Sequence, residues 1–331
     1  MCARDPVGLQ KKVVMRFVLL VVALLLLGCE LLPPPTDGSQ TQPFPKKNGD
    51  SQTVRFASWN VRNFFDWIDD PYSDEVFEKE AFRKKLVNLA TVIDEIDPEF
   101  IGLQEVENLA CLKLLNSALA RPFPQLGLIE GNDKQRGIDV CFLSRLPVKK
   151  VVSHVDHRLP QHPDAPPYYF FSRDCLEVRL DSTPPTVILI NHLKSGRGDA
   201  KVSAAKRRVQ SLGIVEVSEL ADKRQGDVLM VMGDLNDRPD SWSLEPVFEK
   251  FHDAFKDVPK KERVTHRYRK GASALDHILV DDDGRSLLGE NHIWKELARR
   301  TSDHNPVAVE MRLELPSTPP SEKTWSQADA P

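Results

Sequence analysis

Six short apolar segments of the chain adjoin carboxylate, amide or imidazole side chains, and this repeated arrangement constrains the fold most strongly. The segments are 54–59 before Asn60, 101–103 before Gln104 and Glu105, 187–190 before Asn191 and His192, 228–233 before Asp234 and Asn236, 278–280 after Asp276 and His277, and 306–309 after Asp303 and His304. A short apolar run bounded by polar residues is typical of a buried β-strand. Rigid strand ends are where α/β proteins place their functional groups, so we interpret these ends as candidate site positions.

Helical segments separate the predicted strands. Phe82, Leu89 and Ile93 recur at the spacing of an amphipathic helix, and further helices are predicted over 109–119 and 200–220. Strands and helices interleave, with several consecutive strands in the middle of the chain. This order predicts an α/β fold with mixed sheets, a two-sheet β-sandwich flanked by helices.

The N-terminus has the pattern of an export signal. Residues 17–27 are eleven consecutive apolar residues, fewer than the about 20 that a bilayer span needs. Basic residues precede this run and Gly28-Cys29 follow it, which is the layout of a secretory signal peptide. The ending LLGC resembles the bacterial lipobox and predicts cleavage before Cys29 and lipidation of Cys29, with a plain signal peptide as the alternative. We therefore expect an exported bacterial lipoprotein on the periplasmic or cell-surface side of a membrane.

Composition divides the rest of the chain. We predict a signal peptide over 1–28, a lipidated cysteine and Pro-rich tether over 29–52, one folded domain over 53–315 and a disordered tail over 316–331. The chain is 40% hydrophobic and 28% charged, which excludes a wholly disordered protein. Removing 1–28 changes the formal net charge from −4 to −7, which argues against a strongly basic nucleic-acid coat protein.

The cysteines of the folded domain do not indicate a zinc site. Cys111, Cys141 and Cys175 are an odd number, and none forms a close pair with metal-ligand spacing. We interpret Cys141 and Cys175 as buried small apolar residues, and a bridge between them is the alternative.

The polar strand ends favour metal-assisted chemistry. The chain contains no G-x-S-x-G, P-loop or H-E-x-x-H motif. The candidate groups are the oxygen ligands of Asn60, Glu105 and Asp303, together with two histidines. Such ligands favour Mg²⁺, Mn²⁺ or Ca²⁺ over Zn²⁺. A hard metal ion beside histidines suits hydrolysis of phosphate esters.

The motifs, taken in order, resemble the endonuclease/exonuclease/phosphatase superfamily, which includes deoxyribonuclease I-like enzymes. They are SWNV at 58–61, LQEVEN at 103–108, NHLKS at 191–195, GDLN at 233–236, LDHIL at 275–279 and SDHNPV at 302–307. With RGIDV at 136–140, the pieces at 103–108 and 191–195 resemble the bacterial secreted-nuclease branch. The resemblance spans residues 58 to 307 and implies a deoxyribonuclease I-like fold for a catalytic domain over 53–315.

The resemblance implies a metal and phosphate site. Glu105 is the expected principal ligand, with Asn60 and Asp303 near the ion. Mg²⁺ is the expected cofactor, with Mn²⁺ or Ca²⁺ as alternatives. Arg136 and Lys194 are expected phosphate contacts because an anionic substrate needs cations near acidic groups, and ordinary solvated charge is their alternative role.

The resemblance also implies the catalytic groups. His304, oriented by Asp276, is the general base or a phosphate contact. His192 donates to the phosphate or protonates the leaving oxygen. Asp234 positions or deprotonates the attacking water, and Asn236 donates a hydrogen bond to a phosphoryl oxygen.

The expected function is a membrane-anchored, exported nuclease that cleaves phosphodiester bonds with activated water. Its expected partners are a nucleic acid substrate and, through the lipid anchor, a membrane, and we expect a monomer. A sphingomyelinase-like phosphodiesterase or phosphatase for phospholipids or sugar phosphates is one alternative. For that alternative the aromatic run at 166–171 would dip into a membrane, although we favour an edge strand there. A non-catalytic surface binding protein is the other alternative.

Overall fold

The computed structural model describes residues 52–68, 77–167, 169–221, 223–268, 271–299 and 301–329. The predicted signal peptide, Cys29 and the tether lie outside these residues. All described residues belong to one compact unit, Asn48–Pro331. None of the helices in these ranges is both long enough and apolar enough to cross a bilayer.

Strands and helices alternate along the described ranges as the apolar pattern predicts. The strands are β1 (Gln52–Phe64), β2 (Phe100–Val106), β3 (Gln125–Leu128), β4 (Asp139–Ser144), β5 (Val148–Val152), β6 (Leu176–Leu180), β7 (Thr186–His192), β8 (Val228–Asp234), β9 (His252–Asp253), β10 (His266–Tyr268), β11 (Gly271–Ser273), β12 (Asp276–Val280), β13 (Leu288–Ile293), β14 (Val307–Leu313) and β15 (Lys323–Trp325). The helices are α1 (Lys79–Ile96), α2 (Leu109–Ala118), α3 (Ala200–Leu220), α4 (Glu245–Lys250) and α5 (Asp282–Arg285).

Two large mixed sheets form the centre of the molecule. The first has the strand order β13-β14-β1-β2-β4-β3-β15, and the second has the order β5-β6-β7-β8-β12-β9. In the first sheet β1 is parallel to β2 and antiparallel to β14. In the second sheet β7 is parallel to β8, which is antiparallel to β12. This architecture confirms the predicted two-sheet α/β fold of the deoxyribonuclease I type.

Three apolar layers hold the sheets and helices together. Between the sheets, side chains such as Phe56 and Phe142 of the first sheet belong to the same buried cluster as Ile190 of the second. On the outer face of the first sheet, α1 and α2 pack through a second buried cluster that includes Ile93. On the outer face of the second sheet, α3 and α4 pack through a third that includes Val209. Burial of both faces of each sheet explains why the central strands read as continuous apolar runs.

The C-terminal segment differs from its prediction. The expectation of a disordered tail over 316–331 is wrong for β15, which pairs in parallel with β3. Trp325 is only 6% exposed and belongs to the cluster between the sheets. Polar and Pro-rich neighbours dominate the composition of this segment, so its three paired residues leave no periodic pattern to detect.

Two smaller expectations concern the aromatic run and the cysteines. The expected edge strand at 166–171 is wrong, because the run contributes an isolated bridge between Arg158 and Phe170 rather than a strand. Cys141 and Cys175, like Cys111, are free and buried, as expected for small apolar residues.

Candidate active site

One row of side chains crosses three neighbouring strands of the second sheet. His192 at the end of β7 is the register partner of Asp234 at the end of β8. Asp234 is in turn the register partner of Asp276 at the start of β12. All three side chains are buried. The parallel and antiparallel pairings therefore bring three sequence-predicted residues to the same edge of this sheet.

A glycine allows β7 and β8 to approach closely at this edge. Gly233 has a φ of 138°, and a Cβ at this position would lie 1.9 Å from the backbone oxygen of Asn191. Only glycine fits such a conformation and such an approach. The Gly-Asp pair therefore sets the position of Asp234 against the end of β7.

The first sheet contributes Asn60 and Glu105. Glu105 has a left-handed φ of 66° and lies where the pairing of β2 with β4 becomes irregular. Its carboxylate accepts hydrogen bonds from the Asn60 side-chain amide at 3.1 Å and from the Asn63 backbone amide at 2.8 Å. These bonds offset the cost of a left-handed conformation at a residue with a Cβ.

The Asp234 carboxylate lies at the centre of the cluster. Its Oδ2 accepts hydrogen bonds from the side-chain amides of Asn60 at 3.0 Å and Asn236 at 3.1 Å. The same oxygen lies 3.6 Å from Nε2 of His192 and 3.7 Å from Nε2 of His304. Burial raises the pKa of Asp234 to about 7, with the charge of Asp276 adding to the increase and that of His304 opposing it.

His304 is paired with Asp276 in the buried part of the site. Its Nδ1 lies 2.9 Å and 3.1 Å from the two carboxylate oxygens of Asp276. Burial alone would lower the pKa of His304, but the charges of Asp276 and Asp234 raise it to about 10. The raised pKa favours the imidazolium form of His304 at neutral pH, with Nδ1 donating to Asp276. Two hydrogen bonds fix the backbone of His304. Nε1 of Trp59 donates to the His304 backbone oxygen, and the His304 backbone amide donates to Oγ of Ser302.

His192 has the opposite electrostatic environment. Burial, assisted by the charges of Arg173, His304 and Arg136, lowers the pKa of His192 well below its ordinary value. Its Nδ1 is buried and has no hydrogen-bond partner in the described part of the chain. The two imidazoles beside Asp234 therefore have pKa values shifted in opposite directions. The shifts favour a neutral His192 and a charged, proton-donating His304 at the same pH.

Asp303 lies at the more open side of the cluster. Its carboxylate is 3.7 Å from Nε of Arg62 and 3.9 Å from Nε2 of His266. The His266 ring lies 4.5 Å from the His304 ring, centroid to centroid. Sequence reasoning missed His266, because it lies in the short strand β10 and no long apolar run precedes it.

Lys85 is a second residue that the sequence did not indicate. From helix α1 its ammonium donates to the backbone oxygens of Arg62 and Thr301, which flank the Asn60 and Asp303 segments. Burial, together with the charge of Arg62, lowers the pKa of Lys85 to about 8. The helical pattern places Lys85 beside apolar residues but gives no signal for this tertiary contact.

The two predicted phosphate contacts occupy different positions. Nη2 of Arg136 donates to Oδ1 of Asn63 at 2.7 Å, and the Asn63 amide donates to Glu105, so Arg136 adjoins the cluster. Lys194 instead donates from Nζ to the backbone oxygens of Ser195 at 2.9 Å and Arg197 at 3.0 Å. Its ammonium therefore lies toward the loop after β7.

The donor groups fit a hard divalent cation. Glu105, Asp234 and Asp303 supply carboxylate oxygens, and the Glu105 side chain is 17% exposed, so it is accessible to an ion from solvent. Ligand atoms of His266, Asp303 and His304 also lie within 4.8 Å of one another. The carboxylate oxygens of Glu105, Asp234 and Asp303 suit Mg²⁺, Mn²⁺ or Ca²⁺, and the cluster lacks the thiolates of structural zinc sites.

A two-sheet sandwich with acidic and imidazole groups at one edge defines a class of phosphoester hydrolases. A family model described as "Endonuclease/Exonuclease/phosphatase family" matches residues 55–292, and the chain belongs to this family. Members of the family are typically hydrolases of phosphoester bonds and usually depend on a divalent metal ion. No curated protein matches the chain.

Solved structures share the fold at low sequence identity. TDP2 from Caenorhabditis elegans is 16% identical with a TM-score of 0.54, over 78% of this chain and 75% of that one. SmcL is 15% identical with a TM-score of 0.56, over 78% of this chain and 99% of that one. A functionally unknown conserved protein from Enterococcus faecalis is 18% identical with a TM-score of 0.55, over 80% and 100% of the two chains.

Proposed function

We propose that this protein is a metal-dependent phosphodiesterase and that its substrate is nucleic acid. One observation carries the proposal: Oδ2 of Asp234 lies between the imidazole rings of His192 and His304, with the amide of Asn60 bridging it to Glu105. This arrangement provides an acceptor for a proton of water, donors for phosphoryl oxygens and an adjacent hard-metal ligand.

The chemical roles follow from the charges of the groups. Asp234 orients a water molecule and accepts its proton as the water oxygen bonds to phosphorus, and a pKa of about 7 suits this exchange near neutral pH. The bond from phosphorus to the leaving oxygen breaks in the same displacement, and the leaving oxygen takes up a proton from solvent. The charged His304, held by Asp276, donates to a phosphoryl oxygen rather than accepting a proton. A divalent ion bound by Glu105, with Asn60 and Asp303 near it, would offset the negative charge that develops on the phosphate.

Local charge favours nucleic acid over a lipid. Arg136 adjoins Glu105 through Asn63, so a cation is available for a polyanion despite the acidic composition of the chain. Tyr169 and Phe170 are half-buried and Phe171 is buried, so they do not present the exposed aromatic insertion that membrane contact would need.

A substrate panel tests the proposal. The protein is incubated with plasmid DNA, RNA, sphingomyelin and inositol phosphates in Mg²⁺, Mn²⁺ or EDTA, beside the variant His304→Ala. Cleavage of nucleic acid that needs the metal and His304 is the expected result. Release of a lipid headgroup or of inorganic phosphate, with no cut in nucleic acid under any metal, would assign the site to the alternative substrates.

We also propose that the protein is exported and anchored through a lipid on Cys29. The supporting pattern is the basic, apolar and LLGC sequence before the Pro-rich segment. Mass spectrometry of the mature N-terminus is expected to find a diacylglyceryl-modified Cys29, and Cys29→Ala is expected to release the protein from membranes. A mature chain that begins at another residue, without lipid, would contradict this proposal.

A further inference from the structure

A cationic cavity lies beside the candidate active site. It has a volume of about 730 Å³ and lies among the loop before β4, the segment before β6 and the first turns of α3. Asp133 is the one carboxylate among its thirteen described lining residues. The lining cations are Arg136, Arg173, Lys194, Arg197 and Lys206.

Two of these cations have donors that the fold leaves unused. Arg173 is only 6% exposed, and its Nη2 lies 3.1 Å from the Asp133 carboxylate. Nε of Arg173 and Nε of Arg136 are buried and have no hydrogen-bond partner within the described ranges. Both guanidinium groups line the cavity, so an anion there would meet positive charge that the single carboxylate of Asp133 only partly offsets.

An aromatic ring forms part of the same cavity. Nζ of Lys206 lies 5.6 Å from the centroid of the Tyr169 ring, and the Tyr169 hydroxyl is 2.9 Å from Oγ of Ser172. The ring is therefore held at both its face and its edge. A fixed aromatic ring beside cations is the combination that binds bases and phosphates of single-stranded nucleic acid.

The cavity connects directly to the catalytic cluster. Arg136 reaches the Glu105 carboxylate through two hydrogen bonds by way of Asn63. Lys194 follows His192 by two residues at the end of β7. An anion in the cavity would therefore lie on the side of the cluster from which Arg136 and Lys194 approach.

We propose that this cavity binds the phosphate adjacent to the scissile one in a nucleic acid strand, with Tyr169 contacting the neighbouring base. The inference rests on the proposed function and names its substrate class. A polynucleotide carries a phosphate at every residue, whereas a phospholipid diester with a cationic headgroup has one phosphate, whose charge its own headgroup offsets, and so gains less from five cations.

The test compares substrates with and without a neighbouring phosphate. The double variant Arg197→Gln/Lys206→Gln removes two cavity charges. Lys201→Gln is the matched control, because Lys201 lies on the same helix, has a 77% exposed side chain and pairs with Asp164 outside the cavity. The substrates are a single-stranded deoxyoligonucleotide and bis(p-nitrophenyl) phosphate, which has one phosphodiester and no neighbouring phosphate.

We expect kcat/KM for the oligonucleotide to fall about tenfold in the double variant, mainly through KM, because hydrogen bonds to charged groups are lost. For bis(p-nitrophenyl) phosphate, the fall in kcat/KM of the double variant is expected to be at least about fivefold smaller. Lys201→Gln is expected to have the kcat/KM of the parent on both substrates. Equal losses on the two substrates, or no loss on the oligonucleotide, would overturn the proposal. If the double variant fails to fold, the single variant Arg197→Gln replaces it in the comparison, because Arg197 is exposed.

Binding without cleavage separates this inference from the proposed function. Fluorescence anisotropy with a labelled oligonucleotide in EDTA is expected to show an about tenfold weaker Kd for the double variant and a shallower salt dependence, by roughly 0.7 per lost phosphate contact. A parent that cuts no nucleic acid but shows this difference would refute the nuclease proposal alone. Equal Kd values for parent, double variant and control would refute the cavity proposal, whatever cleavage shows.

Discussion

The side-chain amide of Asn60 on the first sheet donates to Oδ2 of Asp234 on the second sheet, over 3.0 Å. The same amide group donates to Oε1 of Glu105 at 3.1 Å. One asparagine therefore connects the two sheets at the position where the proposed metal ligand, Glu105, and the proposed proton acceptor, Asp234, meet. This contact also lowers the pKa of Asp234, against the larger effect of burial.

Replacing Asn60 by Ala should impair catalysis more than stability. We expect kcat/KM for nucleic acid to fall at least about 100-fold, because Asp234 and Glu105 both lose their positioning donor. The free energy of unfolding should fall by about 1–3 kcal/mol. Asn291→Ala is the control, because Asn291 also loses one hydrogen bond, to the Ala254 oxygen, and lies outside the cluster. Equal activity of the two variants would contradict the role of Asn60.

Replacing Asp276 by Asn should change the charge state of His304. The anion of Asp276 raises the pKa of His304, so its removal lowers that pKa from about 10. We expect an NMR titration to detect the lower pKa and kcat to fall by about 10²–10⁴. An unchanged pKa of His304 in this variant would show that Asp276 does not control the imidazole.

Replacing Glu105 by Gln should weaken metal activation. The substitution removes the carboxylate charge but leaves a side-chain oxygen that can still accept the hydrogen bond from the Asn63 backbone amide. We expect the Mg²⁺ concentration for half-maximal activity to rise at least about tenfold, because mutations around a metal site commonly weaken metal affinity by that factor or more. Glu249→Gln, at an exposed position of α4, is the control. Metal titrations that coincide for both variants would remove Glu105 from the ligand set.

The stability of the parent should depend on pH through Asp139. Burial raises the pKa of Asp139 to about 7, so the folded state binds a proton more tightly than the unfolded state between about pH 4 and pH 7. The contribution of Asp139 to stability therefore falls as pH rises through this range, and Asp139→Asn lacks this loss. Between pH 5 and pH 8 the unfolding free energy of the variant should gain about 3 kcal/mol relative to the parent in urea titrations. A pH-independent difference would contradict the raised pKa.

The C-terminal strand should contribute to stability rather than to chemistry. Trp325 is buried between the sheets, and Trp325→Ala should lower the free energy of unfolding by about 3 kcal/mol. The kcat of the folded variant should equal that of the parent, because β15 lies at the far edge of the first sheet, beyond β3. Unchanged stability in urea unfolding would show that β15 does not pack against the core.

Regular periodicity made much of the fold predictable. The helix predicted over 200–220 has those bounds as α3, and the helix predicted over 109–119 ends one residue earlier as α2. The strand β15 was not predictable, because three residues at a sheet edge bury one tryptophan and leave no repeating pattern.

The candidate site likewise contains residues that the sequence predicts and residues that it does not. Each of five site residues adjoins a short apolar run, which makes it predictable from the sequence. They are Asn60, Glu105, His192, Asp234 and Asp276. The residues that sequence reasoning missed come from segments without that signal and meet the site only through tertiary packing. They are Lys85, Arg173 and His266.

Cleavage of supercoiled plasmid DNA in Mg²⁺ tests the central claim most directly. The parent is expected to cut the plasmid, to stop when EDTA is added and to resume when Mg²⁺ is restored. His304→Ala is expected to be at least about 100-fold slower under the same conditions. Cleavage that persists in EDTA, or that proceeds at the parental rate in His304→Ala, would contradict a metal-dependent site built around Asp234 and His304.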